Sequence, residues 1–398
     1  MQSSQAPSRS GYFPALDGLR AVAILAVITH HYAADIWDVG IFWWGWAGVD
    51  LFFVISGFLI TGILYDTLTH KHYFRNFYIR RTLRIFPLYY AVWLGLLLVS
   101  LVCHTKWNRY IFYDAIYLLN WFSTSSALKQ HAESLVLMFK FGRHMPSVDL
   151  AHLWSLAIEE QFYLVWPFVL WLVRKRTSLM TLCGLCILGT PFFRLYLYIH
   201  STPAQIAAES IVGATYTRFD TLLVGAWFAL WLRSQKAPSV AKVRQISHWL
   251  IGFSLPCFVL SVLTIAQHWP MTTPNNPIVC TYGFTLIALI SAGLILGCLD
   301  PTSLIARVLS QRPLIHIGRI SYGMYIFHYL LIVEIVHYER KLQQKYHLDI
   351  LGFLAAFAMT YLTARLSYKW IEMPFLKLKD RYTAKDHGHA PVTLPALT

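Results

Sequence analysis

The sequence predicts an all-α membrane protein, a polytopic bundle of about ten spanning helices with one further short interfacial or re-entrant helix. Three observations predict it. Of the 398 residues, 57% are hydrophobic and 16% aromatic, while only 13% are charged, which lies well outside the usage of soluble domains. The apolar residues fall into runs long enough to cross a bilayer, which takes about 20 residues at about 1.5 Å each. The basic residues, which give a formal charge of +14, gather between those runs rather than along one soluble face. Topology accounts for them, and no nucleic-acid partner is expected.

The runs cover residues 15–34, 41–66, 85–104, 152–173, 178–199, 215–232, 248–268, 278–298, 319–338 and 349–371. The piece from Ile111 to Phe122 is too short to span. Placing the loop with Lys71, Arg75, Arg80, Arg81 and Arg84 in the cytoplasm brings four later basic clusters to the same side. These are Arg174 to Arg176; Arg233, Lys236, Lys242 and Arg244; Arg307, Arg312 and Arg319; and Lys369, Lys377, Lys379, Arg381 and Lys385. The outer set is sparser: Lys106, Arg109, Lys129, Lys140, Arg143, Arg340, Lys341 and Lys345. The expected organisation is a cytoplasmic tail over 1–12, a transmembrane domain over 13–375 and a polar cytoplasmic tail over 376–398. Both termini then face the cytoplasm, and the protein is integral to the cytoplasmic (inner) membrane. A cleaved signal peptide is not expected, because the first apolar run holds charge and lacks a small-residue cleavage site.

All six cysteines lie inside or beside apolar runs and are expected to pack there without a disulfide framework. Cys183 and Cys186 have ligand-like spacing but no second Cys/His pair nearby, so no metal is expected. The longest outer segment, 123–151, is the expected lid or acceptor-facing loop.

Ionisable residues inside spans are costly and turn toward a protein interior, which makes them the candidates for function. In "LRAVAILAVITHHY", Arg20 and His31 stand eleven positions apart. On a helix they project from faces within about 20° of each other, separated by about 16.5 Å along the axis. His30 points about 100° away. Asp17, three residues before Arg20, is placed to pair with it. In "AHLWSLAIEEQFYLVWP", His152, Ser155, Glu159 and Tyr163 form one polar stripe, with Glu160 adjacent. "GVDLFFVISGFLIT" adds Asp50 and Ser56, with glycines that permit close helix packing. Ser321, Tyr325 and His328 share a face in "RISYGMYIFHYL". Arg218 and Asp220 are two apart and do not face each other, so each needs a partner elsewhere. Arg81 and Arg84 stand where a basic loop enters a helix, which suits either a cytoplasmic anchor or a phosphate-bearing ligand.

Taken together, these segments resemble the acyltransferase 3 family of integral-membrane acyltransferases from about Tyr12 to Phe375. The spacing of Arg20 and His31 is similar to the family's N-terminal signature, and Arg81-Thr82-Leu83-Arg84 to its Arg-X-X-Arg motif. "HLWSLAIEEQFYLVWP", "RFDTLLVG", "SYGMYIFH" and "SYKWIEMP" resemble its later blocks. The chain is expected to lack the extracytoplasmic hydrolase-like domain that relatives often carry.

The resemblance implies transfer of an acyl group, commonly acetyl from acetyl-CoA, to a hydroxyl of a carbohydrate or lipid-linked glycan acceptor. Within that reading His31 is the expected general base, with Glu159 or Asp50 orienting it. Arg20, Arg81 and Arg84 are the expected ligands of the coenzyme A phosphates. His152, Ser155, Tyr163, Tyr325 and His328 are the expected acceptor contacts. Two rivals stand beside it: a transporter, since intramembrane charges also mark solute pathways, and a non-catalytic glycan- or lipid-binding component. The spans show no inverted repeat of broken helices, which weighs against transport. Oligomeric state is not legible in the sequence.

Overall fold

The computed structural model describes residues 12–37, 40–103, 105, 107, 109–122, 136–138, 147–200, 211–235, 237–265, 277–330 and 349–384. The chain folds as a helical bundle. Its helices are α1 (Pro14–Trp37), α2 (Ala47–Asp66), α3 (Tyr73–Cys103), the short α4 (Arg109–Ala115), α5 (Trp154–Val173), α6 (Arg176–His200) and α7 (Thr215–Leu232). They continue with α8 (Val240–Ile265), α9 (Phe284–Leu299), the short α10 (Leu304–Leu309), α11 (Arg312–Leu330), α12 (Asp349–Ser367) and α13 (Met373–Ala384). Each of the ten expected segments coincides with a helix over its described residues; residue 104 of the third, 266–268 of the seventh and 331–338 of the ninth lie outside them. Among the described residues, seven helical stretches are long and apolar enough to cross a membrane: Trp44–Asp66, Tyr73–Cys103, Ala151–Val173, Arg176–His200, Val240–Leu263, Val279–Leu299 and Ile350–Leu378. Helices α1, α7 and α11, which carry much of the polar machinery, are not among those seven.

The outward faces of α3 and α6 are apolar and exposed, through Leu94, Leu98, Leu101 and Val102 on one and Leu185, Leu188 and Phe192 on the other. Such faces are stable against hydrocarbon rather than water. Polar side chains instead turn inward, and most meet across helices. Arg194 on α6 is fully buried and grips Asp220 on α7 through two hydrogen bonds of 3.0 and 2.8 Å, with Thr285 donating to the same carboxylate. At the ends of α2 and α7, Arg233 makes a bidentate pair with Asp66, both bonds 2.6 Å long.

The piece around 111–122 does not span. It is α4 followed by one helical turn, Leu119–Phe122. Tyr117 breaks the two apart with φ at 59°, a left-handed conformation that a continuous helix excludes. A two-stranded antiparallel ribbon that no sequence pattern announces is formed by β1 (Val136–Met138) and β2 (Ser147–Asp149), in which Leu137 faces Val148. Three-residue strands are too short to display an alternating pattern. Residues 123–135 and 139–146 of the expected loop, 1–11 of the expected tail over 1–12 and 385–398 of the expected tail over 376–398 lie outside the described residues, whereas 376–384 of the latter continue helix α13.

Helices α2 and α7 pack in close backbone contact, and two glycines make it possible. A methyl group on Gly57 would overlap the Leu222 carbonyl of α7, and one on Gly225 would overlap the Val54 carbonyl of α2. Backbone meets backbone at both points, so neither obstacle is a side chain that can rotate away. Gly57→Ala and Gly225→Ala are therefore each expected to cost about 1–3 kcal/mol. The check is a lowered unfolding midpoint of detergent-purified protein, and an unchanged midpoint in both variants would refute the contact.

Candidate active site

Helix α1 carries polar groups at both ends because its apolar residues, Leu19, Ala23, Ile24, Val27 and Ile28, fill the core between them. At one end Arg20 meets Asp17 at 3.5 Å, the expected local pair. Asp17 also accepts a hydrogen bond from the Tyr12 hydroxyl and lies 3.7 Å from Arg319. Arg20 nevertheless lines a cavity, opposite Arg81 and Arg84 of α3. About 700 Å³ of atom-free space, mouth included, lies among these arginines, Ser56, Glu159 and Tyr322, with Ser155 and Tyr325 also on its wall.

Three guanidinium groups thus converge on one partly enclosed space. Arg20 and Arg81 both lie within electrostatic range of Arg84. Arg81 stacks on the Tyr163 ring at 3.8 Å, an arrangement that holds a cation without using up its donors. Its Nε is buried with no hydrogen-bond partner among the described residues. On the facing wall, the Ser56 hydroxyl donates to Glu159 Oε1, and Tyr163 donates to Ser56 at 3.0 Å. Glu372, buried in the π-helical turn Tyr368–Glu372, lies within range of Arg84 and has Oε1 unpartnered among the described residues. Its single acidic position in the chain offered no sign of this placement.

The other end of α1 enters a cluster of imidazoles. His31 lies 5.1 Å from His328 and 4.9 Å from His30 between ring centroids, and Tyr329 is 4.7 Å away. His152 stands 5.5 Å from His328. Tyr325 bridges this cluster to the cavity: its ring lies 5.3 Å from His328, and its hydroxyl hydrogen-bonds Ser155 and donates to the His152 carbonyl. His31 does not line the cavity. The contacts that connect them run from Tyr325 to His328 to His31.

Of the predicted site residues, Arg20, Arg81, Arg84, Ser155, Glu159 and Tyr325 share the cavity wall, with Tyr163 just behind it. His31, His152 and His328 share the imidazole cluster. The expected orienting carboxylates are elsewhere: Glu159 is bonded to Ser56, and Asp50 is paired with Arg218 at 2.7 Å. Both members of the Asp50–Arg218 pair are buried, and the guanidinium lies 3.6 Å over the Phe284 ring. The sequence marked Arg218 as needing a remote partner, but it could not say that the partner was Asp50. Outside the spans, buried Asp114 lies within electrostatic range of half-buried Asp149, and burial, followed by that repulsion, pushes Asp114 well above the usual carboxylate range. No group of three or more His, Cys, Asp or Glu is arranged to hold a metal ion among the described residues.

Residues 13–368 match the sequence model of a family described as an acyltransferase domain. The chain belongs to the acyltransferase 3 family. Among the relatives of this family member is the peptidoglycan O-acetyltransferase OatA of Listeria monocytogenes, 30% identical over 379 residues, covering 92% of this chain and 56% of the relative. The O-acetyltransferase OatA of Staphylococcus aureus is 31% identical over 377 residues, covering 92% of this chain and 57% of that protein. This acyltransferase 3 chain therefore spans little more than half the length of those relatives. No solved structure matches it.

If Asp50 serves to neutralise Arg218, removing its charge leaves a buried cation uncompensated. Asp50→Asn is expected to cost about 3–5 kcal/mol, and a further Arg218→Met change to return much of that loss. Unfolding midpoints and acyl-transfer rates of the two variants check this. A double variant that is stable yet inactive would return Asp50 to the chemistry.

Proposed function

We propose that the chain is a membrane O-acetyltransferase that moves acetyl from acetyl-CoA, entering from the cytoplasm, to a hydroxyl of a peptidoglycan sugar on the outer side. The observation that carries this reading is the convergence of Arg20, Arg81 and Arg84 on a cavity whose far wall, through Tyr325, adjoins an imidazole cluster. Converging cations require an anionic ligand, and guanidinium groups suit phosphate oxygens through paired hydrogen bonds. The named activity of the relatives supports acetyl as the group and peptidoglycan as the acceptor.

His31 is the base in this scheme. Its Nδ1 is 2.9 Å from the Val27 carbonyl. A carbonyl oxygen can only accept, so in the neutral ring Nδ1 carries the hydrogen and Nε2 keeps its lone pair. His31 is also half-buried, whereas His328 is fully buried and His152 nearly so. It is the member of the three that a hydroxyl can reach. Nε2 takes the hydroxyl proton as the alkoxide oxygen forms a bond to the acetyl carbonyl carbon; the C–S bond then breaks, and the proton passes to the departing thiolate. A direct transfer of this kind needs no metal. The proposed sidedness, with both termini and the arginine end of the cavity in the cytoplasm, is supported by the basic clusters, since Lys and Arg favour that side.

The test is transfer of radiolabelled acetyl from acetyl-CoA to peptidoglycan fragments by the full chain in lipid vesicles. Arg81→Ala and Arg84→Ala are each expected to raise KM for acetyl-CoA about tenfold through loss of a charge-assisted contact. His31→Ala is expected to lower kcat by about 10²–10⁴ while leaving acetyl-CoA binding intact. Label that reaches no acceptor, with coupled solute flux in its place, would instead establish a transporter.

A further inference from the structure

Attack on a thioester puts negative charge on the carbonyl oxygen of the tetrahedral intermediate, and donors aimed at that oxygen usually make the largest single contribution to such catalysis. In the scheme above His31 Nε2 deals with the proton and the departing thiolate, not with that oxygen. The donor has to stand on the cavity wall, at the end next to the imidazoles, with a hydrogen it can release from its present partner. Five hydroxyls line the wall, those of Ser56, Ser155, Ser321, Tyr322 and Tyr325. Ser56 donates to Glu159, and Tyr322 donates to the Ile85 carbonyl at 2.8 Å. Ser321 precedes Tyr325 by one turn of α11 and so stands farther from His328 along the helix axis. Ser155 and Tyr325 remain, where the Tyr325 ring meets His328.

We infer that the Ser155 hydroxyl is a catalytic residue that donates a hydrogen bond to the acetyl carbonyl oxygen, and that Tyr325 is the positioning residue that holds it. Ser155 Oγ and the Tyr325 hydroxyl oxygen are 2.5 Å apart, and both reach the His152 carbonyl oxygen, Tyr325 at 3.1 Å and Ser155 at 3.2 Å. Two hydroxyls bring two hydrogens to these three contacts, so one contact is always without a hydrogen. The shortest must hold one, because lone pairs facing each other at that separation repel. With Tyr325 donating there, the Ser155 hydrogen is left on the longest contact, to the carbonyl three residues back in its own chain. A serine hydroxyl is a free rotor. Its hydrogen therefore turns to an oxygen in the cavity with no heavy atom moving, while Tyr325 goes on donating to Oγ and strengthens the outgoing bond. Both side chains are more than nine-tenths buried, where little water competes for that hydrogen.

The hydrogen bond forms on the bound thioester and tightens as charge develops. The acceptor oxygen bonds to the acetyl carbon as the carbonyl π pair moves onto oxygen; on collapse the C=O bond re-forms, the C–S bond breaks, and Ser155 keeps its proton throughout. The sequence places Ser155 and Tyr325 among the acceptor contacts. This assignment moves both to the acyl group.

The inference rests on acetyl-CoA entering the cavity, and the experiment separates the two. The full chain in lipid vesicles is loaded, without acceptor, with acetyl-CoA carrying ¹³C at the carbonyl, and the C=O stretch of the bound thioester is read by infrared difference spectroscopy. Transfer to peptidoglycan fragments is then measured on wild type, Ser155→Ala, Tyr325→Phe and the double variant. A hydrogen bond lowers the stretch, so Ser155→Ala is expected to raise it, with kcat lowered about 10²-fold and KM for acetyl-CoA and acceptor unchanged. Tyr325→Phe is expected to raise the band part of the way and lower kcat about tenfold. The double variant is expected to be no slower than Ser155→Ala, because Tyr325 acts only through Ser155. An unmoved band in Ser155→Ala, a loss confined to KM for the acceptor, or a greater loss in Tyr325→Phe than in Ser155→Ala overturns the inference. Should Ser155→Ala fail to fold, an unmoved band in Tyr325→Phe overturns it. A wild type that binds no acetyl-CoA overturns the proposed function and this inference together, whereas wild-type transfer with unmoved bands in the variants overturns this inference alone.

Discussion

Charge inside a bilayer has to be answered by opposite charge or by a space that admits water or ligand, since hydrocarbon offers neither hydrogen bonds nor screening. That requirement organises the bundle. Arg194 answers Asp220, Arg218 answers Asp50 and Arg233 answers Asp66, and each pair ties one helix to another. Helix α7 contributes a residue to all of these pairs except the last, where Arg233 directly follows it. Its glycine contact with α2 brings the two backbones close enough for Asp50 and Arg218 to meet across the interface.

Against that background the cavity arginines stand apart. Arg20 is partly answered by Asp17, and Arg84 by Glu372 at a distance, but the cavity gathers more positive charge than its wall neutralises directly. The Arg194–Asp220 and Arg218–Asp50 pairs are fully buried and Arg233–Asp66 is partly so; the arginines of the cavity are half-buried and face open space. The same residue type therefore plays two parts in one protein: the bundle arginines are held by short, direct ion pairs, whereas among the described residues Arg81 and Arg84 have no carboxylate in direct contact and Arg20 has only the longer one to Asp17. Further along α1 the imidazoles solve a different problem. They are polar but neutral, so an apolar core can hold them, and backbone carbonyls set which nitrogen of each ring stays open.

The site was legible where its residues repeat along a single helix. His152, Ser155, Glu159 and Tyr163 were marked as one stripe, and the structure turns the last three inward from α5 and buries His152 in the short turn that precedes it. Arg20 and His31 were likewise marked on one face of α1. What spacing along one helix cannot give is which residue on another helix completes the contact. Asp50 and Glu159 were both plausible orienters by chemistry, yet the bundle commits one to Arg218 and the other to Ser56. Glu372 offered even less, since its role depends on a π-helical turn that nothing in "SYKWIEMP" announces.

Hydropathy, the lengths of the apolar runs and the placement of basic residues were enough to determine a membrane bundle, because the cost of exposing backbone and charge to lipid acts on each segment independently. The order of the polar motifs was enough to indicate the family. Tertiary structure alone decided which ionised groups pair and that Tyr325 and His328 stand between the cavity and His31. Those outcomes depend on distances between helices far apart in the chain, and a pairing of that kind is set by packing of the whole bundle rather than by any local pattern.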